Sequence, residues 1–191
     1  MGQYWTPILA TASVPRRDFA ENIVAWGYSH DFGEGLKLME HSYTNGRLVG
    51  AVTNYMLEQE TFFRVVWAGD YADPESSSGS TLYALADQVH LAPMKLPNTG
   101  APVEPAQWLL NLDKNEAVDL SKCPVDREDW PHPIHPLPLL TAEGNGRGGG
   151  DFTGGSGSEY IGRWARDRIM VRPEGLPPLG TVELVPNFIE R

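Results

Sequence analysis

"TFFRVVWAGDYAD", residues 61–73, decides how the chain is built. Its first part, "FFRVVWAG", is so rich in β-branched and aromatic residues that it reads as a buried strand. It runs straight into "DYADPESSSGS", whose Asp, Pro, Ser and Gly content marks a loop, so Asp70 and Asp73 stand at the end of a strand. Just upstream, "TNGRLVGAVTNYMLEQE" puts Leu48, Val52, Tyr55 and Met56 on one stripe, which predicts a helix over about 45–60 capped by Thr44 or Asn45.

Away from this centre the signals are shorter. "PRRDFAEN" predicts a short helix capped by Asp18 and containing Phe19, Ile23 and Val24. Gly33 and Gly35 suit a turn leading into Leu36, Leu38 and Met39, and "TLYALADQVH" reads as a short helix or a strand. Pro93, Pro97, Pro102 and Pro105 mark 92–105 as a connector. "QWLLNLDKNEAVDL" is expected to form a hairpin turning at Asp113–Asn115. The proline-laden "CPVDREDWPHPIHPLPLL" must be extended or turning. A Gly-rich stretch over 144–157 follows, then "EYIGRWARDRIMV", which alternates like a strand, and a last strand "TVELV". "VVWAGDYADPE" and "GRWARDRIMVRPE" share Trp-Ala-x-Asp before Pro-Glu, a faint internal echo. The expected fold is α+β, a mainly antiparallel β-sheet with one clear helix and long Pro/Gly-rich loops. Its halves, 1–91 and 106–191, flank the connector within one compact domain.

Composition bounds the function. A formal charge of −10, from 15 basic and 25 acidic residues, argues against a nucleic-acid groove binder and against adsorption to anionic lipid. The acids are dispersed rather than run together, which disfavours a DNA mimic. Cys123 is the one cysteine, so no internal disulfide forms and a reducing compartment fits. No apolar run approaches the roughly 20 residues of a membrane span, and "MGQYWTPILA" lacks the pattern of a secretory signal. A cytoplasmic protein is therefore expected, with Met1, Gly2 and Thr6 matching a myristoylation pattern only by chance.

The segments "HDFGEGLKLMEHSY", "RVVWAGDYAD", "WLLNLDKNE", "HPLPLLTAEGNGRGGGDF" and "WARDRI", taken together over roughly 28–172, resemble an uncharacterised family of proteins from bacteria, their phages and mobile elements. The chain departs from that family's pattern at its N-terminal end: Asn-Leu-Asp-Lys comes early there and stands here at Asn111–Lys114. The resemblance implies an accessory protein of mobile-element origin and brings no residue roles.

"EGNGRGGGDF", residues 143–152, is the leading candidate site. Glycines admit the left-handed dihedrals that let successive N–H groups cradle an anion, and Arg147 offers a bidentate contact. The ligand set would be Gly144, Asn145, Gly146, Arg147, Gly148, Gly149 and Asp151, with Arg166 and Arg168 from the strand beyond. Neither phosphate-loop signature is present, so backbone crowding at a structural turn is an equal reading. Asp70 and Asp73, with Asp151 and Glu143, could hold Mg²⁺ through oxygen ligands, or the first two simply set a turn. His30–Asp31 and Glu40–His41 are acid–base candidates, although neighbours in sequence point apart. His132 and His135 have zinc-like spacing without a second cysteine, and Cys123 lacks surroundings that would activate it. Trp67, Trp108 and Trp164 are expected in the core.

Three functions follow as expectations. The first is a small soluble protein binding an anionic small molecule, such as a nucleotide, through the Gly-rich loop. The second is a Mg-dependent phosphoesterase using Asp70, Asp73 and Asp151. The third is an acidic protein-interaction or inhibitor module.

Overall fold

The computed structural model describes residues 3–87, 94–100, 106–123, 125–127, 130–144, 158–186 and 188. Strand β3 (Phe63–Gly69) organises it, and all seven of its residues are buried. On one edge β3 runs antiparallel to β1 (Trp5–Thr11) along its full length, from Trp5 opposite Gly69 to Thr11 opposite Phe63. Two strands share its other edge. At the start of β3, β10 (Arg168–Arg172) pairs antiparallel through Arg168–Arg64 and Ile169–Phe63. At its end, β9 (Ala142–Glu143) runs parallel, with Ala142 opposite Trp67 and Glu143 opposite Ala68.

Successive side chains of a strand point to opposite faces. Phe63, Val65 and Trp67 enter one apolar cluster and Val66 and Ala68 another. Burial on both faces is the reason the sequence of β3 shows an apolar run rather than alternation.

Between β1 and β3 in sequence lie β2 (Ile23–Trp26), antiparallel to β1, and α1 (Arg47–Gln59). After β3 come α2 (Leu82–Asp87), β4 (Met94–Lys95), β5 (Trp108–Asn111) and β6 (Glu116–Asp119). A separate two-stranded pair, β7 (Val125–Arg127) and β8 (Trp130–Pro133), precedes α3 (Pro136–Leu140), and β11 (Val182–Leu184) is last. Among the described residues the main sheet has nine strands ordered β11-β6-β5-β10-β3-β1-β2-β4, with β9 beside β3. The fold is α+β, mainly sheet with one clear helix.

Helix α1 buries Leu48, Val49, Val52 and Met56 against the same cluster as Trp67, Leu109 and Ile169, and α3 adds Leu137, Leu139 and Leu140. On the opposite face α2 brings Leu82, Leu85 and Ala86 against Ile8 and Val66, beside Phe19. The expected hairpin is β5–β6, with Asn111 Oδ1 accepting from Lys114 N (2.9 Å) in its turn and Asn115 left-handed at φ 54°.

Four local expectations change. The N-cap of α1 is Gly46, not Thr44 or Asn45; Glu34 Oε1 accepts from Leu48 N (3.0 Å), so a carboxylate from outside the segment does the capping. No helix runs from Asp18 to Val24: two 3-10 turns, Arg16–Asp18 and Ala20–Asn22, lead directly into β2. So short an isolated helix is marginal, and pairing of β-branched Ile23 and Val24 beside β1 outweighs it. Of "EYIGRWARDRIMV", only Arg168 onward is strand, because Gly162 (φ 73°) and Arg166 (φ 61°) turn the chain through left-handed backbone. Within the Pro-rich connector, Met94–Lys95 pairs with β2 and Leu96 is 2% exposed, so this part belongs to the sheet's edge and core.

Candidate functional site

The fork at β3 fixes the site. Where β9 ends, Glu143 stands opposite Ala68, which sets Gly144, the first residue of the Gly-rich stretch, at the carboxyl end of β3. On the same edge the chain turns at Arg166 before entering β10, with Arg166 N donating to Val65 O (2.8 Å) and Arg166 O accepting from Arg64 Nη1 (2.9 Å). The loop after β3 returns Asp73 and Glu75 to the same place. Together Arg17, Asp73, Glu75, Glu143, Gly144 and Arg166 line a cleft of about 360 Å³.

Arg166 is the hub of this cleft. Its Nε donates to Glu143 Oε2 (2.7 Å) and its Nη1 to Glu75 Oε2 (3.2 Å), with Nη2 reaching both carboxylates, and the guanidinium lies over the ring of Phe19. Burial by itself would lower its pKa, but the hydrogen bonds to Glu143 and Glu75 prevail and hold it raised. Three carboxylates against two guanidinium groups leave the described walls one negative charge in excess.

On the sheet face opposite Glu143 lies Gln3, packed against Gly69 and Gly144, 1% exposed, with neither Oε1 nor Nε2 hydrogen-bonded. Trp5 Nε1, in a residue 3% exposed, is likewise buried without a partner. The amide is wedged between two glycines: a Cβ on Gly69 would collide with Gln3 Nε2, and one on Gly144 would stand 2.5 Å from Oε1 and 2.8 Å from Trp5 Cη2. Close backbone approach therefore explains Gly144, the first glycine of the loop.

The other candidates are placed as follows. Asn145, Gly146, Arg147, Gly148, Gly149 and Asp151 lie outside the described residues. Asp70 is adjacent to the cleft but engaged: its Oδ1 accepts from Tyr4 N (3.0 Å) while its own N–H donates to Tyr4 O (3.0 Å), extending the β1–β3 pairing. Asp73 lines the cleft and is exposed. Arg168 is held by Asp113, Nε to Oδ1 at 2.7 Å and backbone N to Oδ2 at 2.9 Å, which directs it to the β5–β6 turn.

The two acid–histidine pairs separate. His30 is exposed and edge-on to Tyr28, while Asp31 pairs with Lys95 (2.6 Å). His41 is fully buried, its Nδ1 accepting from Trp67 Nε1 (3.2 Å) and its Nε2 facing Gly35 O (2.9 Å), which makes Nε2 the protonated nitrogen. Desolvation pushes its pKa down to about 4, so it is a neutral bridge in the core. His135 is also pushed down to about 4 by burial, and its Nδ1 caps α3 by accepting from Leu137 N (3.2 Å). Burial and nearby Asp119 push the Cys123 thiol up to about 12, the opposite of an activated nucleophile. Among the described residues no three His, Cys, Asp or Glu side chains gather as metal ligands, and no helix is long and apolar enough to cross a membrane.

Glu75, Arg17 and Gln3 were not singled out in the sequence. Glu75 sits in "DPESSSGS" like any loop carboxylate, and only its 7% exposure and its pairing with Arg166, 91 residues away, set it apart. A larger cavity, about 540 Å³, lies between the outer face of α1 and residues 94–100. Its polar wall of Arg47, Asn54, Glu58 and Gln59 is the ordinary solvent face of an amphipathic helix, whereas the β3 cleft gathers partly buried, paired charge. Comparison with protein-family models, with curated proteins and with solved structures finds no match to this chain.

Proposed function

We propose that the protein binds a small anionic molecule, such as a nucleotide, at the carboxyl end of β3, with the Gly-rich stretch that begins at Gly144 supplying the anion-binding wall. The observation that carries this reading is the position of Gly144. The β9–β3 pairing sets the start of that stretch in the floor of a cleft large enough for a small ligand. Arg166 contributes by fixing Glu143 and Glu75 rather than by meeting the anion, since two carboxylates occupy its guanidinium. Arg147, outside the described residues, is the cation that the sequence of the loop offers to the anion, and Arg17 lines the cleft itself. An accessory protein of mobile-element origin that sequesters a nucleotide fits this arrangement.

A thermal-shift series with nucleotides at about a hundredfold excess over Kd is expected to raise Tm by about 5 °C or more. Arg147→Ala should abolish the rise. Absence of stabilisation by every nucleotide tried would overturn the reading.

An interaction module is the second reading, favoured by the exposed apolar side chains of Leu176, Leu179, Val182 and Val185 near β11. The phosphoesterase reading receives less support, because Glu75 and Glu143 are both hydrogen-bonded by Arg166 and Asp70 is committed to Tyr4.

A further inference from the structure

The solvent face of an amphipathic helix ordinarily meets only water. On α1 that face is a stripe of Arg47, Gly50, Ala51, Asn54, Tyr55 and Glu58, and residues 94–100 stand across from it to enclose the cavity of about 540 Å³. This second wall is pinned to the sheet. Met94 and Lys95 pair with Ala25 and Trp26 of β2, and Leu96 N donates to Trp26 O (2.7 Å). The Lys95 ammonium lies over the rings of Trp26 and Tyr28 and pairs with Asp31 (2.6 Å). Asn98 Nδ2 donates to Asp31 O (2.9 Å). With the strap held in this way, the small Gly50 and Ala51 leave room at the middle of the helix wall, in the volume range of small-molecule sites.

The lining is uneven along the helix. Phe32, Tyr55, Met94, Leu96 and Pro97 supply apolar surface. The two charged groups stand at opposite ends, Arg47 in the first turn of α1 and Glu58 in the last, about 16 Å apart along the axis at 1.5 Å per residue. The Arg47 end is the enclosed one. Buried Phe32 closes the 3-10 turn Ser29–Phe32, and Glu34 just beyond ties that turn to α1 through Leu48 N (3.0 Å), whereas Glu58 and Gln59 are exposed where the helix ends. Among the described residues the Arg47 guanidinium makes no hydrogen bond and no ion pair, since Glu34 spends Oε1 on the helix backbone.

We propose that this cavity binds a small molecule with an aromatic body and a single carboxylate, the ring against Phe32, Tyr55 and Leu96 and the carboxylate on Arg47. One free guanidinium matches one carboxylate, which it can hold through two parallel hydrogen bonds. The site shares no residue with the β3 cleft and stands independently of the anion-binding reading there.

The test is calorimetric titration of the whole chain with indole-3-acetate, indole and tryptamine, which share one ring and differ in charge. The native chain should bind indole-3-acetate at least about tenfold more tightly than tryptamine, with indole between them. Arg47→Gln, a change at an exposed position, should bring indole-3-acetate down to the affinity of indole while leaving indole itself unchanged. Ala51→Phe, which fills the gap from the helix wall, should abolish binding of all three. Tighter binding of tryptamine would assign the charge preference to Glu58 and overturn the role of Arg47. Equal binding of the three probes, or a preference that survives Arg47→Gln, would overturn it as well. Binding unaffected by Ala51→Phe, or no binding of any probe to the native chain, would overturn the site outright and leave the reading of the β3 cleft untouched.

Discussion

His41 and His135 show how strongly surroundings override residue type. Each has a ring nitrogen accepting a hydrogen bond, from Trp67 Nε1 and from Leu137 N, which only a neutral ring can do at that atom. Both are held at about 4 by burial, well under the usual 6.5. The unfolded chain therefore takes up these protons at higher pH than the folded one, so stability is full above about 6.5 and falls as pH drops toward 4. The loss is on the order of 3 kcal/mol per histidine across that window. For the carboxyls of Asp113 and Glu116, burial pushes the pKa up but hydrogen bonds from Arg168, and from Arg163 and Trp164, prevail and hold them low. Their contribution is lost only below the ordinary carboxylate range, so the two effects separate. Urea unfolding midpoints should fall markedly between pH 7 and pH 5, and equal midpoints would refute this account. "MEHSY" displays the acid–histidine adjacency but not the burial, because the partner that fixes the His41 tautomer is Trp67, 26 residues on.

At the scale of elements, β3 and α1 are legible because each carries its own periodic or compositional signal. β1 is not. "WTPILAT" contains Pro7, which ordinarily argues against an interior strand. Pro7 is tolerated because its carbonyl accepts from Gly27 N (3.1 Å) just beyond the last β1–β2 pair at Ile8–Trp26, so the absent N–H faces the end of β2. β9 is two residues long and defined wholly by its neighbour, which no local pattern can announce. The turn that leads into β10 is equally tertiary. Gly162 has φ 73°, and a Cβ there would stand 2.6 Å from Ala142 O, a backbone atom of the strand that carries Glu143. Gly162→Ala should therefore destabilise by at least about 2 kcal/mol, from left-handed strain and steric overlap together. Denaturant unfolding measures it, and a loss under half a kcal/mol would mean that β9 yields at no cost. The candidate site is legible in the same partial way. The glycines of the loop announce a special backbone, but the groups around its first residue come from distant segments at 3, 17, 75 and 166.

For the whole molecule, the cleft is also where the two halves of the chain are tied together. β3 belongs to the first half and takes β9 and β10 from the second along one edge, so the sheet is continuous across the connector. The ionic contacts follow the same seam. Arg64 and Arg168 share Asp113, Arg16 pairs with the fully buried Asp167, and Arg166 joins Glu75 from one half to Glu143 from the other. Such a partly buried cluster is a weak net stabiliser when complete and a strong destabiliser when broken, because the remaining charges stay desolvated without a partner. Arg166→Met should thus cost roughly 3–5 kcal/mol, as it strands Glu75 and Glu143 while leaving the left-handed backbone strain at 166 as it was. Adding Glu75→Gln and Glu143→Gln removes the stranded charges, so the triple variant should recover most of that loss. Urea unfolding of the native, single and triple chains reads the difference directly. If the single and triple variants prove equally unstable, the cluster acts through packing around Phe19 and not through charge, and the seam is held by the apolar faces of β3 alone.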